Sequence, residues 1–215
     1  MNIGIFGTGM VGEAFATKLV ELGHAVKMGS RSATNEKAAK WVEKTGKGAS
    51  QGTFEDAARF GEILFNCTSG AVSLDALHAA GADALRGKIL IDVANPLGKA
   101  DHGLPTLTNP GDDSLGERIQ RAFPETRVVK TLNTINCELM VNAARLPGDH
   151  TLFMSGNDPE AKAYVRALVS DWFGWRDVID LGDITTARGT EGLLPLWLRL
   201  MRALGTMQFN VKVVR

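Results

Sequence analysis

Short apolar runs alternate with amphipathic stretches through the first 131 residues. Ile3 to Phe6 has the length and composition of a strand, and Val11, Phe15, Leu19 and Leu22 then recur at helical spacing. A second strand ends in Gly29-Ser30-Arg31-Ser32, followed by a helix from Asn35 to Lys44 that Gly46 closes. Ala49 to Gln51 reads as a short strand, and Thr53-Phe54-Glu55-Asp56 has the capping-box spacing that opens another helix. Glu62 to Cys67 is the next strand and Leu74 to Ala80 the next helix. Lys88 to Val93 is apolar at consecutive positions, as expected of a parallel strand covered on both faces.

Gly98 to Asp113 breaks this rhythm: rich in Gly, Pro and Asn and without a period, it reads as a long loop at the carboxyl edge of the sheet. A helix from Ser114 to Ala122 and a strand from Arg127 to Thr131 follow. Beyond Cys137 the pattern predicts a helix near Glu138 to Ala144, a strand from Thr151 to Ser155, and a helix capped by Asp158 with Pro159 in its first position. Asp177 to Leu181 reads as a short strand, Thr190 to Leu204 as a helix apolar nearly all round that must be covered, and Phe209 to Val214 as a closing strand. The fold class expected is α/β: a Rossmann-type doubly wound parallel sheet in residues 1–135, with a small C-terminal α/β extension in residues 136–215.

In such a sheet ligands lie over the carboxyl ends of the strands, which directs attention to the loops there. Gly7-Thr8-Gly9-Met10-Val11-Gly12 joins the first strand to the first helix and has the dinucleotide-binding spacing. Gly7 permits the tight turn, Gly9 lets backbone N–H groups approach a pyrophosphate, and Gly12 lets the helix pack closely on the strand. About twenty residues on, where an acid would meet the ribose 2′-hydroxyl of NAD, no Asp or Glu occurs between Ala25 and Asn35. Ser30, Arg31 and Ser32 offer hydroxyls and a guanidinium suited to a 2′-phosphate, so NADP is the cofactor expected. An ordinary polar turn is the alternative. Thr68-Ser69-Gly70, Asn95-Pro96 and Asn133-Thr134 close later strands and are candidates for the nicotinamide half and its partner substrate; simple turn chemistry is the alternative for each.

The 24 basic and 24 acidic side chains cancel, leaving no charge footprint for nucleic acid or an anionic membrane. Arg199 and Arg202 interrupt the longest C-terminal apolar run, well short of a membrane span. No secretory leader is recognisable, so the expected location is cytoplasmic. Cys67 and Cys137 lack metal-ligand spacing, so no metal is expected. No acid–base triad suggests itself: His24, His78 and His150 fall away from the expected cleft, His102 lies in the long loop, and Tyr164 sits in the later region. No residue is therefore assigned a catalytic role, which favours a flat redox acceptor whose chemistry asks mainly for orientation.

On Gly7-Thr8-Gly9-Met10-Val11-Gly12, Leu22-Gly23-His24 and Gly29-Ser30-Arg31 the chain resembles the NADPH-dependent reductases of the deazaflavin coenzyme F-420, nearly end to end. The resemblance implies that Ser30-Arg31 holds the 2′-phosphate. It also implies that hydride passes near Thr68 to Gly70, Asn95-Pro96 and Asn133-Thr134. Archaeal members have His-Thr-Ile-Pro where this chain has Asn133-Thr134-Ile135-Asn136. Val128 to Thr134 is similar instead to the cytosolic domain of six-transmembrane ferric reductases, which pass electrons from NADPH to a flavin. The expected function is hydride transfer between NADP and F-420 or a flavin (FMN or FAD), with a small-molecule acceptor and a homodimer as the expected partners. An NADPH-binding redox sensor or interaction protein without turnover is the alternative.

Overall fold

The computed structural model describes residues 1–101, 103–108 and 111–215. Strand β1 (Asn2–Phe6) shows how each strand meets the core. Ile3 and Ile5 point into one apolar layer and Phe6 into the other, as period-two alternation requires of a strand buried on both faces. The register continues through β2 (Ala25–Ser30), β3 (Ala49–Thr53), β4 (Ile63–Asn66), β5 (Ile89–Asp92) and, later in the chain, Arg127–Thr131.

The helices follow their capping residues. Helix α1 (Met10–Glu21) leaves the glycine turn; Asn35 caps α2 (Glu36–Thr45) and Gly46 ends it; Thr53 and Asp56 form the capping box of α3 (Phe54–Phe60). After α4 (Ser73–Ala80) and the single turn α5 (Ala82–Leu85), the chain enters β5. One face of the sheet packs Phe15 and Leu19 of α1 with Trp41 of α2. The other packs Phe54 and Ala57 of α3 with Leu77 of α4.

The aperiodic stretch after β5 is not wholly a loop. Leu97–Asp101 (β6) and Leu104–Leu107 (β7) form an antiparallel hairpin separate from the main sheet. It was hidden by Gly98 and Pro105, which dilute strand propensity in a ribbon held by backbone pairing. Helix α6 (Leu115–Ala122), capped by a Ser114–Glu117 box, leads to β8 (Arg127–Thr131).

Past β8, the one-turn helix α7 (Cys137–Met140) and a 3-10 turn at Ala143–Arg145 replace the longer helix expected there. Strand β9 (Thr151–Gly156) joins β8 antiparallel; helix α8 (Pro159–Phe173) starts on Asp158; β10 (Asp177–Asp180) pairs parallel with β9. The full order is β10-β9-β8-β5-β4-β1-β2-β3, one mostly parallel eight-stranded sheet.

The C-terminal helix is broken in two, α9 (Ala187–Gly192) and α10 (Leu194–Leu204), with Pro195 in the first turn of α10. A proline lacks the N–H a continuous helix would use and favours a helix start. Leu194 and Leu198 are buried, while Leu196 and Leu204 are exposed, so the helix is covered on one side only. Phe209 to Val214 forms no regular strand. The tail is held beside β9 by Thr151 N–H donating to the Val211 carbonyl (2.9 Å) and Val213 N–H donating to Thr151 Oγ1 (3.0 Å).

Candidate functional site

Strand order reverses between β1 and β4, and the loops leaving their carboxyl ends flank the crevice where open α/β sheets bind ligands. Gly7 has φ +110°, and a Cβ on Gly12 would stand 2.1 Å from the Gly7 carbonyl oxygen, so the turn and the close helix approach both need glycine. A Cβ on Gly9 would meet nothing within 4 Å. Helix α1 has no side-chain cap, leaving its first-turn N–H groups open to an acceptor. An open front, uncapped N–H groups and the positive end of a helix suit a pyrophosphate.

At the end of β2 the predicted residues divide. The Ser30 hydroxyl is spent on its own turn, donating to the Ser32 carbonyl (2.6 Å), and the Ser32 hydroxyl faces Thr34 Oγ1 (3.1 Å). Arg31 is exposed and has no hydrogen bond or ion pair among the described residues. A groove of about 300 Å³ runs nearby, lined by Thr8, Gly9, Met10 and Glu13 on one side and Lys37, Lys40, Trp41 and Lys44 on the other.

A larger cavity, about 630 Å³, lies over the sheet. Met10 and Val11 reach it from α1; Thr68, Ser69 and Gly70 follow β4; Asn95 follows β5; Asn133, Ile135 and Asn136 follow β8. The β4 and β5 loops interlock, since a Cβ on Gly70 would fall 2.1 Å from the Asn95 carbonyl oxygen. The Asn95 amide donates to the Asn133 carbonyl (2.7 Å) and the Asn133 amide donates to Asn95 Oδ1 (3.0 Å). Leu132, just before Asn133, is left-handed (φ 63°), a conformation costing about 1–2 kcal/mol outside glycine. Such strain at a site is held by its surroundings, here the buried Leu132 side chain. Pro96 and Thr134 do not line the cavity, and Thr134 is buried.

The opposite wall comes from residues with no motif: Leu194, Trp197 and Leu198 of α10, then Thr206, Met207 and Gln208 of the tail. The indole of Trp197 stacks on Phe209, with centroids 5.2 Å apart. Their only sequence signal was the apolar stripe of a helix read as pure core.

Beneath the cavity lies a buried ionic group. Lys130 Nζ is 2.9 Å from both Asp92 and Glu191, all three side chains being shut off from solvent. Burial opposes the lysine charge, but the two carboxylates outweigh it and hold the pKa above the ordinary lysine value. A lysine and an aspartate inside otherwise apolar strands are the legible signal for this group. Cys67 and Cys137 also line the cavity, and burial pushes both thiols up, leaving them protonated and unreactive near neutrality.

Among the described residues no histidine lines the cavity. His24 stacks on Trp172, His78 on Phe123 and His150 against Trp175. His102 lies outside the described residues. Glu138, at the cavity rim, is tied to Arg145 (2.6 Å) and Gln208 (2.8 Å). No cluster of metal-ligating side chains occurs among the described residues, and no helix among them is long and apolar enough to cross a membrane.

The chain is similar to several known proteins. The family described as "NADP oxidoreductase coenzyme F420-dependent" matches residues 2–96. A crystal structure from Arthrobacter sp. FB24, named as a candidate F420-dependent NADP-reductase, is 49% identical, with TM-score 0.93 and 99% of each chain covered. Metalloreductase STEAP3 of Rattus norvegicus is 30% identical over 205 residues, 91% of this chain; the chain spans only 38% of that protein's length. A reductive aminase from Aspergillus terreus, solved with NADPH and ethyl-5-oxohexanoate, shares the fold at 21% identity and TM-score 0.65, over 95% of this chain and 62% of that one. The chain belongs to the coenzyme F-420-dependent NADP oxidoreductase family and is an NADP-dependent oxidoreductase.

Proposed function

We propose that this protein transfers hydride between NADP(H) and a flat aromatic acceptor of the deazaflavin or flavin type, seated in the 630 Å³ cavity. The observation that carries this reading is the cavity itself, which joins the glycine-loop residues Met10 and Val11 to an apolar wall containing Trp197. When bound, NADPH supplies the hydride from its nicotinamide ring.

The chain's own residues bind, orient and exclude water. Gly7 to Gly12 shape the turn that presents the N–H groups of α1 to the pyrophosphate. Arg31, uncommitted elsewhere, takes the 2′-phosphate through charge-assisted hydrogen bonds. Ser30 and Ser32 shape the turn that carries it. Thr68, Ser69, Gly70 and Asn95 bound the nicotinamide half, with Pro96 fixing the loop behind Asn95. Asn133 faces the acceptor, its amide held by Asn95 and its backbone pinned by the strained Leu132 turn; Thr134 supports that turn from the interior. Val93, Ile135, Met140, Leu194 and Leu198 keep the space dry. Hydride transfer between stacked rings draws most of its advantage from such orientation.

The test is to mix protein with NADPH and, in turn, F-420, FMN, FAD and a ferric chelate while following loss of reduced-nicotinamide absorbance. Turnover with F-420 or a flavin is expected. Tight NADPH binding with no turnover on any of them overturns the proposal.

A further inference from the structure

The buried ionic group touches neither the glycine loop nor Arg31, yet each of its carboxylates leads to a different wall of the cavity. Asp92 accepts from the Asn66 amide (2.8 Å), and Asn66 Oδ1 accepts from the Thr68 hydroxyl (2.7 Å), which also meets Ser73 Oγ (2.8 Å). Thr68 lines the nucleotide-side wall. Glu191 accepts from the N–H groups of Leu115 (2.8 Å) and Gly116 (3.1 Å), and lies three residues before Leu194, where the C-terminal wall begins. Lys130 Nζ sits 2.9 Å from each carboxylate and donates also to the Ala94 carbonyl, next to Asn95.

We infer that Lys130 is a positioning residue that locks the Thr68 wall and the Leu194–Leu198 wall at one separation, so that hydride donor and acceptor meet in register. The inference rests on the cavity being the hydride-transfer site. Its physical basis is the cost of unpairing charge in a dry interior. If either wall shifts, a carboxylate leaves the ammonium it faces and is stranded in a dry interior. Apolar contacts alone would let helix and loop slide, because the hydrophobic effect is non-directional. Two carboxylates against one ammonium leave the group net negative. The N–H groups of Ala94, Leu115 and Gly116 and the Asn66 amide offset this, so the anchor reaches backbone on both sides.

Lys130→Met alone strands two buried carboxylates and reports on folding, so the informative protein is the triple variant Lys130→Met, Asp92→Asn, Glu191→Gln. Neutralising a buried ionic group as a whole is tolerated far better than breaking it. The expected result is a melting temperature well above that of Lys130→Met alone but below wild type, because Glu191→Gln can accept only one of the two backbone N–H groups that Glu191 accepts, with NADPH still bound. With F-420 as acceptor, kcat falls by on the order of tenfold or more, since misplacing reactants by about 1 Å costs that much. Amide hydrogen exchange, which needs no turnover, accelerates together in peptides spanning residues 66–73 and 193–204. Wild-type kcat with wild-type exchange in both peptides overturns the inference, as does faster exchange in one peptide alone. A parallel Trp197→Ala variant separates the two claims. If it leaves KM for F-420 unchanged, the cavity assignment fails, and the coupling of the walls is judged on exchange alone.

Discussion

The nucleotide-side wall draws Met10, Thr68 and Asn95 from the carboxyl ends of three neighbouring parallel strands, β1, β4 and β5. The C-terminal wall brings Leu194, Trp197 and Leu198 back across the molecule to face them. On the first side each loop is set by its own residues: Gly7 and Gly12 by close backbone approach, Gly70 by its fit against Asn95. On the second side no binding motif specifies the site. Helix α10 starts at Pro195, and Glu191, just before it, pairs with Lys130. On the proposed reading, the nucleotide half can therefore be damaged by one local substitution, whereas the acceptor half depends on a long-range anchor.

The sharpest break is Lys130→Met. It leaves Asp92 and Glu191 buried without their cation, and thermal or urea unfolding is expected to show a loss of about 3–5 kcal/mol. A loss below about 1 kcal/mol would mean that the two carboxylates are not left as unpaired buried charges. Next comes Arg31→Ala, which touches only the nucleotide half: NADPH binding is expected to weaken by about 1.5–3 kcal/mol relative to NADH. Titration of both cofactors checks this, and equal losses refute the 2′-phosphate assignment.

Trp197→Ala addresses the other wall. It removes a stack on Phe209 of about 0.5–1.5 kcal/mol and is expected to raise KM for F-420 while leaving the NADPH dissociation constant unchanged. Steady-state kinetics beside direct cofactor titration reads the split. The smallest effect is on acid stability. The Arg188 guanidinium, then the Ser114 hydroxyl and N–H, hold Glu117 below the usual carboxylate range despite its burial. A carboxyl depressed in the folded state contributes stability that is present above its unfolded pKa of about 4.3 and lost as pH falls through the lower folded value. Melting temperature should decline below about pH 4, and Glu117→Gln should flatten that decline.

Much of the molecule was legible in the chain itself. The glycine turn, the missing acid between Ala25 and Asn35, the caps at Asn35, Thr53 and Asp158, and the apolar strands all act over a few residues, where propensity and hydrogen-bonding chemistry are local. These determined an α/β dinucleotide fold and pointed to NADP. The irregular tail depends on pairing with β9, some sixty residues away; the β6–β7 hairpin was masked by Gly98 and Pro105, and the break in the last helix was legible at Pro195 all along. Only the tertiary structure decided which residues face Asn133 across the cavity and what holds them there. The reason is that the anchoring interaction, one ammonium between Asp92 and Glu191, joins positions 38 and 61 residues from Lys130; Asp92 and Lys130 stand out as charges in apolar strands, but the chain does not say which partners they meet.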